Sequence, residues 1–237
     1  MQRPSLWLSH EVIGLHKEGY GFLLGQSVFA SPRVSYASLT VLSLSQEALC
    51  KKMYGHWATM SPDHPTLHVV PFRPLPSEID PNASAEKVDE ERRFVRDVLL
   101  QRTQEELSSD PKACVLMRQV GSDLVVNTFA CNFLVDGITN SDVSEANYLN
   151  ARIYNRLSLK SMTEKLEDKK VIIMSSVLLQ REYGACLTKF KERLGLQGPE
   201  DLYVLVNVSM SPFTSHSNFD KVLADAFREV AEEEVEV

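Results

Sequence analysis

Two short stretches restrict the fold of this chain more than anything else in it: LVVNTFACNFLV at 124–135 and LYVLVNVSM at 202–210. In the first, Val125, Phe129, Cys131, Phe133 and Val135 fall on one side of an extended strand, with Thr128 and Asn132 on the other. In the second, Leu202, Val204, Val206, Val208 and Met210 share a side opposite Tyr203, Asn207 and Ser209. Strands of a parallel sheet buried between helix layers are apolar throughout, so one-sided strands point to a sheet covered by helices on a single face. Helical periodicity supplies the cover, with Ala146, Leu149, Ile153 and Leu157 on one helix, Tyr183, Leu187, Phe190 and Leu194 on a second, and Phe219, Val222, Leu223, Ala226, Phe227 and Val230 on a third. The fold class is α+β.

Local signals mark several ends. Gly195 after Leu194, with Leu196 beyond, reads as a left-handed cap with its apolar contact, and Ser217 with Asp220 as a capping box. Asp136-Gly137 is a turn, and Glu232 to Glu236 reads as a frayed acidic tail. Upstream, Thr66 to Phe72 reads as a strand, and Pro71, Pro74, Pro76 and Pro81 make a loop after it. A charged helix is expected from Ser84 or Ala85 to about Ser108, with Val88, Phe94, Val95, Val98, Leu99 and Leu107 as its apolar stripe. Residues 6–24 suggest a helix ending near the glycines at 19 and 21. Residues 27–45 show no clean period and fit poorly with their surroundings.

The 237 residues carry 25 basic and 32 acidic side chains, a net charge of −7, so no positive field exists to hold a phosphate backbone. With 43% hydrophobic and 24% charged residues the composition is that of a globular protein. Apolar runs stop far short of the roughly 20 residues that span a bilayer, and no secretory leader pattern opens the chain. Cys50, Cys114, Cys131 and Cys186 are scattered, which reads as reduced thiols in a cytoplasmic protein, and the six histidines form no zinc-ligand spacing.

Each candidate for chemistry has a plainer structural explanation. His16-Lys17 has the residue types of a Schiff-base site, but lies in a polar segment ahead of a glycine turn. Ser215, His216, Ser217 and Asp220 contain the residues of a hydrolase triad, yet at such short spacing they suit a helix start. GLQGPED at 195–201 lacks the glycine spacing of a phosphate-binding loop. His56-Trp57 and His64 to His68 could line a pocket, yet a lone histidine near a strand is more often satisfied by local hydrogen bonds. The Asn-x-Ser matches at Asn82 and Asn207 are of the kind chance supplies, the second inside an expected strand.

Seven colinear segments nevertheless resemble one family. They are LSHEVIGLHKEGYGFLLG at 8–25, CKKMYGHWATM at 50–60, HVVPFRPLP at 68–76, LVVNTFACNF at 124–133, EANYLNARIYNRLS at 145–158, REYGACLTKFKERLGL at 181–196 and LYVLVNVSMSPF at 202–213. Together the chain resembles the C-terminal part of the pyridoxal-phosphate-dependent amino acid decarboxylases (group II), especially the tyrosine decarboxylase-like proteins of fungal type. The resemblance implies the small C-terminal domain of a fold-type I enzyme over residues 61–237. Residues 1–60 would then be a helical segment leaving a large cofactor domain, with an atypical insert at about 27–45. In that family the Schiff-base lysine, its aspartate and the phosphate cup come from the large domain, ahead of all these segments. His16-Lys17 falls downstream of the family's catalytic pair, so no catalytic, cofactor-binding or metal residue carries over. The expected protein is a cytoplasmic portion of a carboxy-lyase acting on an aromatic or glutamate-like amino acid and inactive alone. The alternative is a non-catalytic module that forms a homodimer or pairs with a full-length relative. The ill-fitting 27–45 stretch and the MQRPSLW start are expected to be translated non-coding sequence and an altered start.

Overall fold

The structure, a computed structural model, describes residues 42–61, 64–120, 126–158, 171–209 and 219–236. In chain order these form α1 (Leu42–Thr59), β1 (Leu67–Pro71), the short α2 (Pro76–Ile79), α3 (Ala85–Phe94), a π-helical turn (Val95–Leu99), α4 (Gln104–Ser109) and α5 (Pro111–Gln119). There follow β2 (Val126–Val135), β3 (Ile138–Thr139), α6 (Val143–Leu157), β4 (Met174–Leu178), α7 (Gln180–Leu194), β5 (Leu202–Val208) and α8 (Phe219–Val235). The class is α+β with an open antiparallel sheet of order β1-β2-β5-β4, and β3 folds back on the end of β2. Asp136 and Gly137, both at positive φ, make that two-residue turn.

Cover on a single face is corrected. Val70, Ala130 and Val204 join Leu187, Phe190 and Leu194 of α7. Their strand neighbours Val69, Phe129 and Leu205 join Trp57 of α1, Ile153 of α6 and Phe227 of α8. Neighbours along a strand point to opposite sides, so both faces are buried. The polar side of each strand is buried too, because its asparagines are hydrogen-bonded: Asn207 Oδ1 of β5 accepts from Trp57 Nε1 at 2.8 Å, and Asn132 Nδ2 of β2 donates to the carbonyls of Asn140 and Leu194, while on the apolar side of β2 Asn127 Nδ2 donates to the Cys50 carbonyl at 2.8 Å.

The expected helix from 85 to 108 is interrupted. Ser84 caps α3 as the sequence suggests, its side chain accepting from Lys87 N, but the backbone widens into the π-helical turn and α4 starts afresh at its own Thr103 capping box. The turn buries Val95 and Leu99 against Tyr54 and Ala58 of α1, together with Leu107, Leu116 and Val120. Gly55 permits the close approach: a Cβ there would lie 3.0 Å from Leu100 Cδ2 and 3.1 Å from Val95 Cγ1. Prolines place a second departure, since Pro76 opens α2 inside the expected loop.

Of the three covering helices, α6 buries all four expected residues, whereas Tyr183 of α7 and Phe219 and Val222 of α8 are exposed. A non-helical Gly184 kinks α7 just after Tyr183 and turns its first residues away from the core. The C-terminus of α7 is capped as expected. Gly195 has φ 81°, Leu196 N donates to the Lys191 carbonyl at 2.8 Å, and Leu196 is buried. The acidic tail is not frayed, because α8 runs to Val235 with Glu234 buried against Arg152 and Arg156. The segment 6–24 and residues 27–41 of the ill-fitting stretch lie outside the described residues; residues 42–45 belong to α1. The end of α1 shares its core with the sheet through Leu49, Met53 and Trp57.

Candidate functional site

A cavity of about 320 Å³ opens between the end of α1, β1, α2, α3 and α7. Ala58, Val69, Val70 and Pro71 give it apolar walls, and His68, Glu78, Arg92 and Arg193 give it polar ones. The short α2 fixes Glu78, whose Oε2 accepts from Leu75 N at 2.9 Å. Both guanidiniums converge on that carboxylate, Arg92 Nη2 donating to Oε1 at 2.7 Å and Arg193 Nη2 to Oε2 at 3.0 Å. Arg193 Nη1 also donates to the carbonyls of Pro71 and Phe72, at 2.9 and 3.1 Å. Its Nε is buried with no hydrogen-bond partner. Burial draws the Arg193 guanidinium below its ordinary value against the pull of Glu78, and it remains a cation.

His68 Nε2 lies 3.1 Å from the Arg193 carbonyl oxygen. A carbonyl only accepts, so Nε2 carries the proton. Burial lowers the His68 pKa, which leaves the ring neutral at neutral pH. Beside the cavity, Tyr54 donates its hydroxyl to the Arg73 carbonyl at 2.9 Å, and burial pushes its phenol up.

The residues that the sequence singles out do not gather here, His68 excepted. His16, Lys17, Ser215, His216 and Ser217 lie outside the described residues. Asp220 lies 2.9 Å from His56 Nε2 and 3.8 Å from Lys52, an ion pair that fastens α8 to α1. His64 accepts from Leu67 N at 2.8 Å and meets Glu232 at 2.8 Å, fastening the other end of α8. In the GLQGPED loop, Lys191 Nζ donates to the carbonyls of Gly198 and Glu200 at 2.6 and 2.9 Å. This loop therefore turns acceptors, not amide donors, toward its buried charge, which suits no phosphate. Asn82 sits in an exposed turn and Asn207 in β5. All four cysteines are free thiols; Cys50 and Cys131 are buried, and Cys186 is exposed. Among the described residues, no group of three metal-ligating side chains comes together, and no helix is long and apolar enough to cross a membrane.

Pyridoxal phosphate does not fit the described residues. The cavity contains no lysine, and the buried lysines Lys51 and Lys191 donate to backbone carbonyls, of Val120 in the first case. Sequence reasoning missed Glu78, Arg92 and Arg193. They stand 14 and 115 positions apart, Glu78 in what reads as a proline loop and the two arginines on separate helices, and the only local hint was the proline-opened turn at Pro76. No family model matches the chain, and no curated protein matches it.

Proposed function

We propose that this chain is the C-terminal, small-domain portion of a pyridoxal-phosphate-dependent amino acid decarboxylase of the tyrosine decarboxylase-like type, a domain that closes over a substrate cleft built elsewhere. One observation carries the reading: the segments that resemble this family fall on the elements that make the core. CKKMYGHWAT lies on α1, HVVPFRPLP runs from β1 to α2, and NTFACNF is on β2. EANYLNARIYNRL, REYGACLTKFKERL and LYVLVNV form most of α6, most of α7 and all of β5. An antiparallel α+β sheet agrees with the small domain that the resemblance implies.

The described residues supply no electrophile and no anchor for one. The chain therefore contributes shape and substrate-cleft closure, while bond breaking at the amino acid belongs to a cofactor domain. The test mixes the purified chain with pyridoxal phosphate, reduces with borohydride and follows carbon dioxide release from tyrosine and from glutamate. Neither a reduced adduct at one defined lysine nor carbon dioxide is expected, whereas co-expression with a full-length tyrosine decarboxylase-like protein should yield a complex. Stoichiometric carbon dioxide from the isolated chain would overturn the reading.

A second reading, a non-catalytic module that pairs with itself or a relative, draws on the outer edge of the sheet. There β4 ends the strand order, and Ile172, Met174 and Val177 are exposed along it. Light scattering on the wild type and on Val177→Lys separates the two readings. A dimer that the lysine dissolves favours the module, and a monomer in both cases removes it.

A further inference from the structure

We propose that Asp136 is a site of spontaneous covalent modification, at which the peptide link to Gly137 migrates from the main-chain carbonyl to the side-chain carboxyl and leaves an isoaspartyl residue in the turn between β2 and β3. The inference does not depend on the decarboxylase reading.

The chemistry needs an aspartate followed by an unshielded amide nitrogen. The Gly137 nitrogen attacks Asp136 Cγ, a C–N bond forms, and the hydroxyl of the protonated carboxyl takes the amide proton and leaves as water. A five-membered succinimide results. Water then opens the ring: addition at Cγ restores aspartate, whereas addition at the Asp136 main-chain carbonyl breaks the original peptide bond and routes the chain through Cβ and Cγ. One water is lost and one regained, so no co-reactant is required, and a free carboxylate replaces the one consumed.

Three observations place this reaction at Asp136. Asp-Gly occurs once in the chain, and any residue other than glycine would put a Cβ beside the attacking nitrogen. Both residues are exposed, and a Cβ built on Gly137 would meet nothing within 4 Å, so the approach of nitrogen and of water is open. Neither reacting group is engaged: among the described residues, none accepts from the Gly137 N–H, and none hydrogen-bonds or pairs with the Asp136 carboxylate. Asp80 and Asp110, by contrast, are held by Lys87 and Arg102.

The backbone favours opening. Asp136, at φ 53°, is the one non-glycine residue at positive φ among the described residues, a conformation that a Cβ disfavours, and ring closure takes it out of that region. Only two pairs hold the tip, Leu134 with Thr139 and Val135 with Ile138. Val135 and Ile138 are already exposed, so opening uncovers little further apolar surface. The new linkage adds one methylene to the turn and uncouples Val135 from Ile138. Below it, Asn140 N still donates to the Phe133 carbonyl at 2.9 Å, so the rest of the sheet stays paired.

The experiment incubates the full chain for weeks at neutral pH and body temperature, folded and, in parallel, unfolded in guanidinium chloride. Electron-transfer fragmentation of the digested chain then separates the two linkages, which have equal mass. Isoaspartate should accumulate at Asp136 in the folded chain, with Asp80 and Asp110 intact. Gly137→Asn, which keeps a residue that tolerates the left-handed region but shields the nitrogen, should slow the conversion by about tenfold or more, a barrier increase of about 1.4 kcal/mol. The proposal is overturned if Asp136 stays intact in the folded chain, whether or not the unfolded chain converts. It is also overturned if Asp80 and Asp110 convert equally, or if folded Gly137→Asn converts as fast as the wild type.

Discussion

Asn150 of α6 takes the place of a neighbouring strand for Cys131 of β2. Its Oδ1 accepts from Cys131 N at 2.9 Å, and its Nδ2 donates to the Cys131 carbonyl at 2.7 Å. The pairing of β2 with β5 covers only Val126 to Phe129 against Leu205 to Val208, so the backbone at Cys131 has lost its strand partner on that side. One turn earlier, Asn147 serves β5 in the same way, accepting from Tyr203 N at 2.7 Å and donating to the Asp201 carbonyl at 2.9 Å. The two asparagines thus join α6 to both lips of an opening in the sheet.

Asn150 and Cys131 are fully buried, so no water replaces the lost bonds when the amide is removed. Asn150→Ala should cost about 2–4 kcal/mol, because it strands a buried N–H and a buried carbonyl together. Asn147→Ala, at a half-exposed position where solvent substitutes, should cost less than half as much. Urea unfolding measures both, and equal losses would refute the asymmetry.

Trp57 ties α1 to the sheet by a hydrogen bond as well as by its ring. The indole stacks on Phe129 with centroids 4.4 Å apart, meets Phe227 edge-on at 4.8 Å and donates to Asn207 Oδ1. Trp57→Phe should destabilise by roughly 2–3 kcal/mol, since it removes ring volume and leaves a buried amide oxygen unpaired. Replacing both partners, Trp57→Phe with Asn207→Leu, should cost less than the sum of the single changes. Additive losses would show that the hydrogen bond contributes nothing.

Much of this framework is visible in the sequence, because period-2 and period-3.6 patterns directly report burial. The cores of β2, β5 and α6, the Ser84 and Gly195 caps and the Asp136-Gly137 turn all follow from local residues. Buried asparagines hid the second covered face, since Asn132 and Asn207 read as solvent-facing until their partners on distant elements are known. The break after Phe94 was hidden too, since the Gly55 approach that accommodates it lies some 40 residues upstream. The cavity was the least legible part. Glu78, Arg92 and Arg193 acquire meaning only when α2, α3 and α7 are brought together.

The acidic C-terminal run shows the same masking. Glu234 is buried, with Oε2 2.6 Å from Arg152 Nε and Oε1 2.9 Å from Arg156 Nη1, while the neighbouring Glu233 is half-exposed and reaches only Arg156. Glu234→Ala should lower stability by about 1–3 kcal/mol, because it leaves a largely buried Arg152 without its partner. Glu233→Ala should cost no more than about 0.5 kcal/mol, as expected for a solvated pair. Denaturant midpoints of the two variants check this, and equal shifts would return the segment to the status of a solvated tail.

Acid should loosen α8 at its other end. Burial pushes the Asp220 carboxyl up, but the His56 hydrogen bond and the charges of Lys52 and His56 outweigh it and hold the group below its ordinary value of 3.8. A carboxyl with a depressed folded-state pKa binds fewer protons folded than unfolded, so its contribution is complete above about pH 5 and disappears as pH falls below 3.8 through the lower folded value. Asp220→Asn should therefore cost roughly 1–3 kcal/mol at neutral pH, where the His56 and Lys52 partnership is intact in the wild type. The gap between wild type and variant should narrow steadily below pH 4. Urea unfolding of both proteins from pH 7 down to the lowest pH at which each still folds measures that gap, and a gap that stays constant or widens in acid would show that the Asp220 carboxylate does not hold α8 on α1.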